Sequence, residues 1–189
     1  MRRFGVVAAF AVASSVVATT TGAQERVKPA EAVIFAAREA DVTTVDSVVA
    51  ALYASISGPV GEPRQWDRLA SLFHHEGRLI PTACDVDGRC VAHPATPQDY
   101  RRTADVFMVF EGFREREVAR RTMRFGNVAQ VWSTYESFRR SVLLPFTRGV
   151  NAITLTWDGR RWWVMSVTWD EERRGLALPG EYLPAPRTH

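Results

Sequence analysis

The alternation of apolar and polar residues between residues 113 and 170 constrains this chain most. It predicts four strands with a period of two, over residues 115–124, 128–139, 148–157 and 160–169. The predicted links are Gly126-Asn127, a longer loop around Leu144-Pro145, and Asp158-Gly159. Consecutive strands joined by such short links favour an antiparallel meander.

Three helices are predicted before the meander. The first begins at Thr43, which forms a capping box with Asp46, and ends before Gly58-Pro59. The second covers residues 64–73, and the third starts at Thr96 as N-cap and reaches about residue 109. The fold class is therefore α+β, with three N-terminal helices packed on an antiparallel sheet.

The last predicted hairpin is apolar on both faces. If Asp158-Gly159 is a two-residue turn, one face pairs three residues of each strand: Leu155 with Trp162, Ile153 with Val164, and Asn151 with Ser166. The other face carries Val150, Ala152, Trp163, Met165, Val167 and Trp169. An antiparallel sheet that is exposed on one side should alternate between apolar and polar residues. The helices can cover one face, so we expect a second copy of the sheet to cover the other, in a homodimer.

The preceding hairpin also has two distinct faces. Simple alternation places one mixed set of small polar and apolar residues together: Val118, Arg120, Thr122, Ala129, Val131, Ser133 and Tyr135. The opposite face then carries Glu117, Ala119, Arg121, Met123, Trp132 and Thr134. The first set suits the lining of a pocket, but the sequence does not decide which face points inward.

The two ends of the chain are predicted to lie outside the domain at residues 43–170. Residues 1–23 have the charged start, apolar middle and small-residue end of a secretory signal, which predicts a periplasmic or secreted protein. The apolar run is too short for a membrane span, and we expect no span in the mature chain. Residues 24–42 are predicted as a tether, and residues 171–189 as an irregular tail rich in proline.

Cys84 and Cys90 are the two cysteines of the chain. In an oxidising compartment a disulfide is expected for such a pair, and the turn signal Asp87-Gly88 between them favours a hairpin. Their spacing and the positions of the four histidines do not form a tetrahedral metal site. We therefore expect a disulfide and no metal.

The charge balance argues against a nucleic-acid partner. The chain has 24 basic and 21 acidic residues, and two of the basic ones, Arg2 and Arg3, lie in the predicted signal. The remaining surplus is too small for an electrostatic nucleic-acid surface. The hydrophobic fraction of 46% is enough for a sizeable core in one domain.

Several stretches resemble a known superfamily in order and in detail: residues 66–73, 112–117, 125–136, and 148–151 leading to 158–163. They are similar to an exported bacterial branch, without an assigned reaction, of the nuclear transport factor 2-like superfamily. This superfamily includes SnoaL-like cyclases and ketosteroid isomerases. The resemblance covers about residues 43–170, and it implies a curved sheet, a conical pocket and cofactor-free acid-base chemistry at its bottom. The isomerase pattern has a carboxylate before a strand proline, but Ile80 precedes Pro81 here.

The predicted pocket residues combine aromatic walls with a few polar groups: Tyr53, Trp66, Tyr100, Phe107, Ser133, Tyr135, Arg148, Asn151, Trp163 and Trp169. Arg148 could instead pair with Glu136 or Glu117, and Tyr135 could be a core residue. The adjacent His74 and His75 are expected at the surface.

Three functions fit this reading. The first is the binding of a small apolar molecule in the pocket, and the second is a dehydratase, isomerase or cyclase that uses general acid-base catalysis without a cofactor. The third is a dimeric interaction module whose pocket is filled by side chains.

Overall fold

A computed structural model of the chain describes residues 35–140 and 143–185. The predicted signal, residues 24–34 of the predicted tether and the last four residues of the tail lie outside this part. Within it the chain has the predicted α+β class, with helices packed against a six-stranded sheet.

The sheet has the spatial order β2-β1-β6-β5-β4-β3. Its strands are β1 (Phe73–Cys84), β2 (Cys90–Ala92), β3 (Arg114–Phe125), β4 (Val128–Phe138), β5 (Thr147–Trp157) and β6 (Trp162–Glu171). The meander from β3 to β6 is antiparallel, as predicted. The expectation of a wholly antiparallel sheet was wrong, because β1 pairs with β6 in parallel. One helix and four strands separate β1 from β6 in the chain, which is the long crossover that parallel pairing requires.

Four helical segments precede or interrupt these strands: α1 (Glu39–Val42), α2 (Val45–Ile56), α3 (Trp66–Leu72) and α4 (Pro97–Glu111). The sequence predicted the last three. The additional segment α1 is a single turn that belongs to the predicted tether, yet Asp41 and Val42 are buried in it. The Asp41 carboxylate also accepts a hydrogen bond of 2.7 Å from Arg68 Nε on α3. The packed structure therefore includes these residues.

The helix caps locate the helices in the sequence. At α4 the predicted cap is confirmed, since Thr96 Oγ1 accepts from the backbone N–H of Asp99 at 3.1 Å. At α2 the predicted cap was one residue early. Thr44, not Thr43, accepts from the backbone N–H of Ser47, and the Ser47 hydroxyl accepts from the Thr44 backbone. A serine hydroxyl thus takes the place of the carboxylate that was expected three residues after the cap.

Two bulges change which residues share a sheet face. In β3, Glu117 pairs with Tyr135 and Ala119 pairs with Thr134, so Val118 is the extra residue. The prediction that Glu117 lies on the face opposite Tyr135 was therefore wrong. Simple alternation assumes regular pairing, and one extra residue moves everything before it to the other face.

A similar correction applies to the last hairpin. Leu155 pairs with Val164 and not with Trp162, because the loop has four residues, 158–161, instead of two. Asp158 Oδ1 organises this loop by accepting from the backbone N–H groups of Arg160 and Arg161 at 2.8 Å. A bulge at Met165 then places Val167 opposite Ile153, on the face turned toward the helices.

The face of the sheet turned toward the helices, called the inner face here, is the core. Its fully buried residues include Val131, Ile153, Leu155 and Val164. The outer face is partly covered by the chain itself. A short 3-10 helix, Gly180–Tyr182, places Tyr182 over Trp132 with ring centres 5.9 Å apart, and Thr134 Oγ1 donates to the Tyr182 carbonyl at 2.6 Å. Part of the surface that we assigned to a second subunit is therefore covered by the tail.

The predicted disulfide is confirmed. Cys84 and Cys90 pair directly across β1 and β2, and their sulfur atoms are bonded at 2.03 Å. In the described residues, we find no helix with the length and apolar character needed to cross a membrane.

Candidate active site

A cavity of about 50 Å³ lies between α2, α3 and α4 and the inner face of the sheet. We call it the inner cavity. Its lining is mostly apolar and aromatic, with a few polar groups: Leu52, Tyr53, Ile56, Leu69, Leu79, Tyr100, Glu115, Tyr135, Asn151, Ile153, Val167 and Trp169. Such a lining is typical of a site for a small, largely apolar molecule.

A second cavity of about 270 Å³, called the outer cavity, lies beside it, between α4 and the end of the sheet where β3 and β5 begin and β4 and β6 end. It is lined by Tyr100, Ala104, Phe107, Met108, Phe113, Glu115, Ser137, Arg139, Phe146, Thr147 and Glu171. Tyr100 and Glu115 line both cavities. Glu115 therefore stands where the two spaces meet.

The Glu115 carboxylate is the unusual group of this site. It is half-buried, and it lines both cavities. Burial raises its pKa from the ordinary value near 4.5 to about 7, although hydrogen bonds from Ser137 and Asn151 act in the opposite direction. Ser137 Oγ donates to Oε2 at 2.8 Å, and Asn151 Nδ2 lies 3.4 Å from Oε1. Near neutral pH the carboxyl group can therefore both accept and release a proton.

A chain of hydrogen bonds leads from Asn151 across the helix–sheet boundary. Asn151 Nδ2 donates to the Tyr53 hydroxyl at 3.1 Å, and this hydroxyl lies 2.6 Å from Ser133 Oγ. Ser133 Oγ donates its single proton to the Glu117 carboxylate, which also pairs with Arg120. The Tyr53 hydroxyl must therefore donate to Ser133. This chain fixes the Asn151 amide beside Glu115.

The hydroxyl groups of Tyr100 and Tyr135, unlike that of Tyr53, are available to a bound molecule. Burial raises the pKa of both, and the nearby Glu115 charge adds to the effect, so both stay protonated at neutral pH. Neither hydroxyl has a hydrogen-bond partner within residues 35–140 and 143–185. Both rings line the inner cavity. Each can therefore donate a hydrogen bond to an oxygen atom of a bound molecule.

Gly149 makes room for Tyr135. A Cβ atom at Gly149 would lie 2.6 Å from the Tyr135 hydroxyl and 2.3 Å from the backbone oxygen of Asp170. We expect Gly149→Ala to lower the free energy of unfolding by about 2 kcal/mol, because either the ring or strand β6 must move. Urea unfolding measures this change. Gly180→Ala is the control, since a Cβ atom there would meet no other atom within 4 Å, and an equal loss in both variants would contradict the steric explanation.

The structure brings together six of the ten predicted pocket residues. Five of them line the inner cavity: Tyr53, Tyr100, Tyr135, Asn151 and Trp169. Phe107 lines the outer cavity. Trp169 reaches the inner face only because of the bulge at Met165, and its ring contacts Tyr100 with centres 5.7 Å apart.

The other four predicted residues do not line either cavity. Ser133 lies one hydrogen bond behind Tyr53. Trp66 is buried and donates from Nε1 to Asp105 at 2.5 Å. Arg148 pairs with Glu172 at 2.8 Å, which is neither of the partners considered from the sequence. Trp163 donates to Asp158 and stacks with Arg161, away from the cavities.

The sequence reading missed Glu115. Regular alternation places Glu115 on the same sheet face as Glu117, two residues later. Because Glu117 was assigned to the face opposite Tyr135, alternation assigned Glu115 there too.

The histidines within residues 35–185 do not line either cavity. His74 and His75 lie at the start of β1 with ring centres 4.0 Å apart, and His75 is exposed. Among the described residues, no group of three or more His, Cys, Asp or Glu side chains is placed to hold a metal ion. The expectation of a cofactor-free, metal-free site stays a prediction.

Comparisons with known proteins connect the chain to solved structures. No protein-family model and no curated protein matches the sequence. Among solved structures, the chain is similar to a Mycobacterium tuberculosis protein of unknown function, with a TM-score of 0.51, 15% identity, and coverage of 68% of this chain and 70% of that one. It is also similar to LinA, with a TM-score of 0.50, 10% identity, and coverage of 76% and 92%.

A third match has a cystatin-like fold and comes from Nostoc punctiforme; its TM-score is 0.49 at 11% identity, with coverage of 69% and 94%. Further matches are described as members of the nuclear transport factor 2-like group. At these identities the similarity concerns the fold.

Proposed function

We propose, from the nuclear transport factor 2-like fold of this chain, that it binds a small, largely apolar molecule in the inner cavity and moves a proton to or from it through Glu115. The reaction class is that of a cofactor-free isomerase or dehydratase. The observation that carries this proposal is the position of the Glu115 carboxylate, where the inner and outer cavities meet and three tyrosines line the same space.

The surrounding groups suit proton transfer next to an oxygen-bearing carbon. Tyr100 and Tyr135 can donate hydrogen bonds to a carbonyl or hydroxyl oxygen of the bound molecule, and such donors stabilise negative charge that develops there. Glu115 can remove a proton from the neighbouring carbon and return it at another position. Asn151 and Ser137 hold the carboxylate in place.

The two alternatives differ in what the cavity contains. Simple binding would need no titrating carboxyl group, and Glu115 therefore favours the enzyme. A filled interaction module would leave no room for a ligand, and the space of the inner cavity together with the larger outer cavity beside it argues against this alternative. The proposed reaction requires no cofactor, because both the base and the hydrogen-bond donors belong to the chain.

The experiment combines native mass spectrometry with deuterium exchange. We expect protein purified from its own host to retain a small molecule that is released on denaturation. Incubation in D₂O with a panel of bicyclic and aryl ketones, 2-tetralone among them, should incorporate deuterium next to the carbonyl faster than the buffer does, as measured by NMR. A retained ligand without exchange of any ketone would favour simple binding. If the protein retained no molecule and exchanged no ketone, the proposal would be contradicted.

The same mass spectrum addresses assembly and export. We propose that the protein is an exported homodimer that associates through the outer face of its sheet. Residues such as Val150 and Ala152 on β5 remain partly accessible there, beside the region that the tail covers. We expect twice the mass of a chain cleaved after Ala23. A monomer would contradict the dimer, and an uncleaved chain would contradict export.

A further inference from the structure

Arg139 occupies a distinctive place in the outer cavity. It follows directly after β4, and its guanidinium group lies over two phenyl rings, 3.9 Å from the centre of Phe146 and 4.8 Å from that of Phe107. All three side chains line the cavity. Stacking on two aromatic rings fixes the plane of the guanidinium group and leaves its N–H donors at the edge.

These donors have no acceptor in the described part of the chain. Within residues 35–140 and 143–185, the Arg139 side chain has neither an ion pair nor a hydrogen bond. Its neighbour Arg140 also lies over a phenyl ring, that of Phe110, but it pairs with Glu111. Arg148 pairs with Glu172. Arg139 is therefore an exposed cation that lines the outer cavity and whose N–H donors have no acceptor among the described residues.

We propose that Arg139 binds a carboxylate group of the ligand, so that the substrate class is a small organic acid with an apolar body. This inference rests on the proposed function, since it concerns the ligand of the same site. A planar guanidinium group with free edge donors matches a carboxylate through two parallel hydrogen bonds. The apolar body of the ligand extends past Tyr100, which lines both cavities, toward the inner cavity.

The other charges in the outer cavity determine the orientation of the ligand. Glu115 and Glu171 also line this cavity, and Glu171 Oε2 accepts from Thr147 Oγ1 at 3.1 Å. Both carboxylates, when charged, repel an acid group that approaches them. The acid group of the ligand is therefore held at Arg139, and its apolar end faces Glu115. The carbon atom from which Glu115 removes a proton then lies in the apolar part of the ligand, away from its acid group.

The test compares acids with alcohols of the same skeleton. Isothermal titration measures the dissociation constants of 2-naphthylacetate and 2-naphthaleneethanol, and of cinnamate and cinnamyl alcohol. In the wild-type protein each acid should bind about 10-fold more tightly than its alcohol, which is typical of hydrogen bonds between charged groups. In Arg139→Gln the two members of each pair should bind within about twofold of each other. Arg139→Lys, which keeps the charge but lacks the planar fork, should give an intermediate ratio.

The matched control is Arg140→Gln, which removes an adjacent arginine that is already ion-paired. We expect it to leave the acid-to-alcohol ratio unchanged. A ratio near one in the wild-type protein, an unchanged ratio in Arg139→Gln, or an equal loss in both variants would overturn the carboxylate assignment and leave the proposed cavity intact. If every acid and alcohol failed to bind the folded wild-type protein, binding in the cavity and the proposed function would both be contradicted.

Discussion

Glu115→Gln should lower the rate at which the protein deuterates a bound ketone by about 100- to 10,000-fold, the usual contribution of a positioned general base. The amide has nearly the same shape as the carboxyl group and can still accept from Ser137, so the cavity should keep its form. It cannot take up or release a proton near neutral pH. The loss should therefore appear in the exchange rate, measured by NMR in D₂O, while affinity for the ketone changes little.

Glu136→Gln is the matched control for this prediction. Glu136 is a partly buried carboxylate on the neighbouring strand β4, but it pairs with Arg116 and lines neither cavity. We expect this variant to retain most of the wild-type exchange rate. Equal losses in both variants would indicate that the sheet, not the base, had been disturbed, and an unaffected Glu115→Gln protein would refute the assignment of Glu115.

The architecture was predictable because its signals are local. The two-residue turn at Gly126-Asn127 lets Phe125 pair with Val128. The cap at Thr96 likewise depends on residues only three positions apart. The disulfide also follows from a short segment with a turn. The parallel pairing of β1 with β6 is different, because it joins residues about 90 positions apart. Nothing in the local pattern around β1 encodes that neighbour.

The site was less predictable because it depends on two bulges. The tyrosines and Asn151 were found from strand alternation and aromatic content, since their strands or helices are regular near the cavity. Glu115 and Val167 lie beyond the bulges at Val118 and Met165, where alternation assigns the wrong face. The bulge near Glu115 has a chemical result, because it turns the Glu115 carboxylate from the outer face into the cavity.

The stability of the folded chain should fall as the pH rises from about 5 to about 8. An unfolded chain releases the Glu115 proton near pH 4.5, whereas in the folded protein burial raises this pKa to about 7. Between these values the folded state holds a proton that the unfolded state has lost, so the free energy of unfolding decreases with pH. The stabilisation is complete below pH 4.5, and about 3 kcal/mol of it is lost once the pH is above 7. Urea unfolding at pH 5, 6, 7 and 8 measures the decrease.

The comparison that isolates Glu115 is the difference between wild-type and Glu115→Gln stability at each pH. His74 acts in the opposite direction over part of this range, because burial lowers its pKa and the folded state favours the neutral ring. Asp158, whose hydrogen bond from Trp163 lowers its pKa to about 2, affects stability only at lower pH. Both groups are present in wild type and variant, so their contributions cancel in the difference. We expect that difference to shift by about 3 kcal/mol in favour of the variant between pH 5 and pH 8. A difference that stays constant with pH would mean that Glu115 is already ionised in the folded protein at pH 5, and it would then be a poor acid for the proposed reaction.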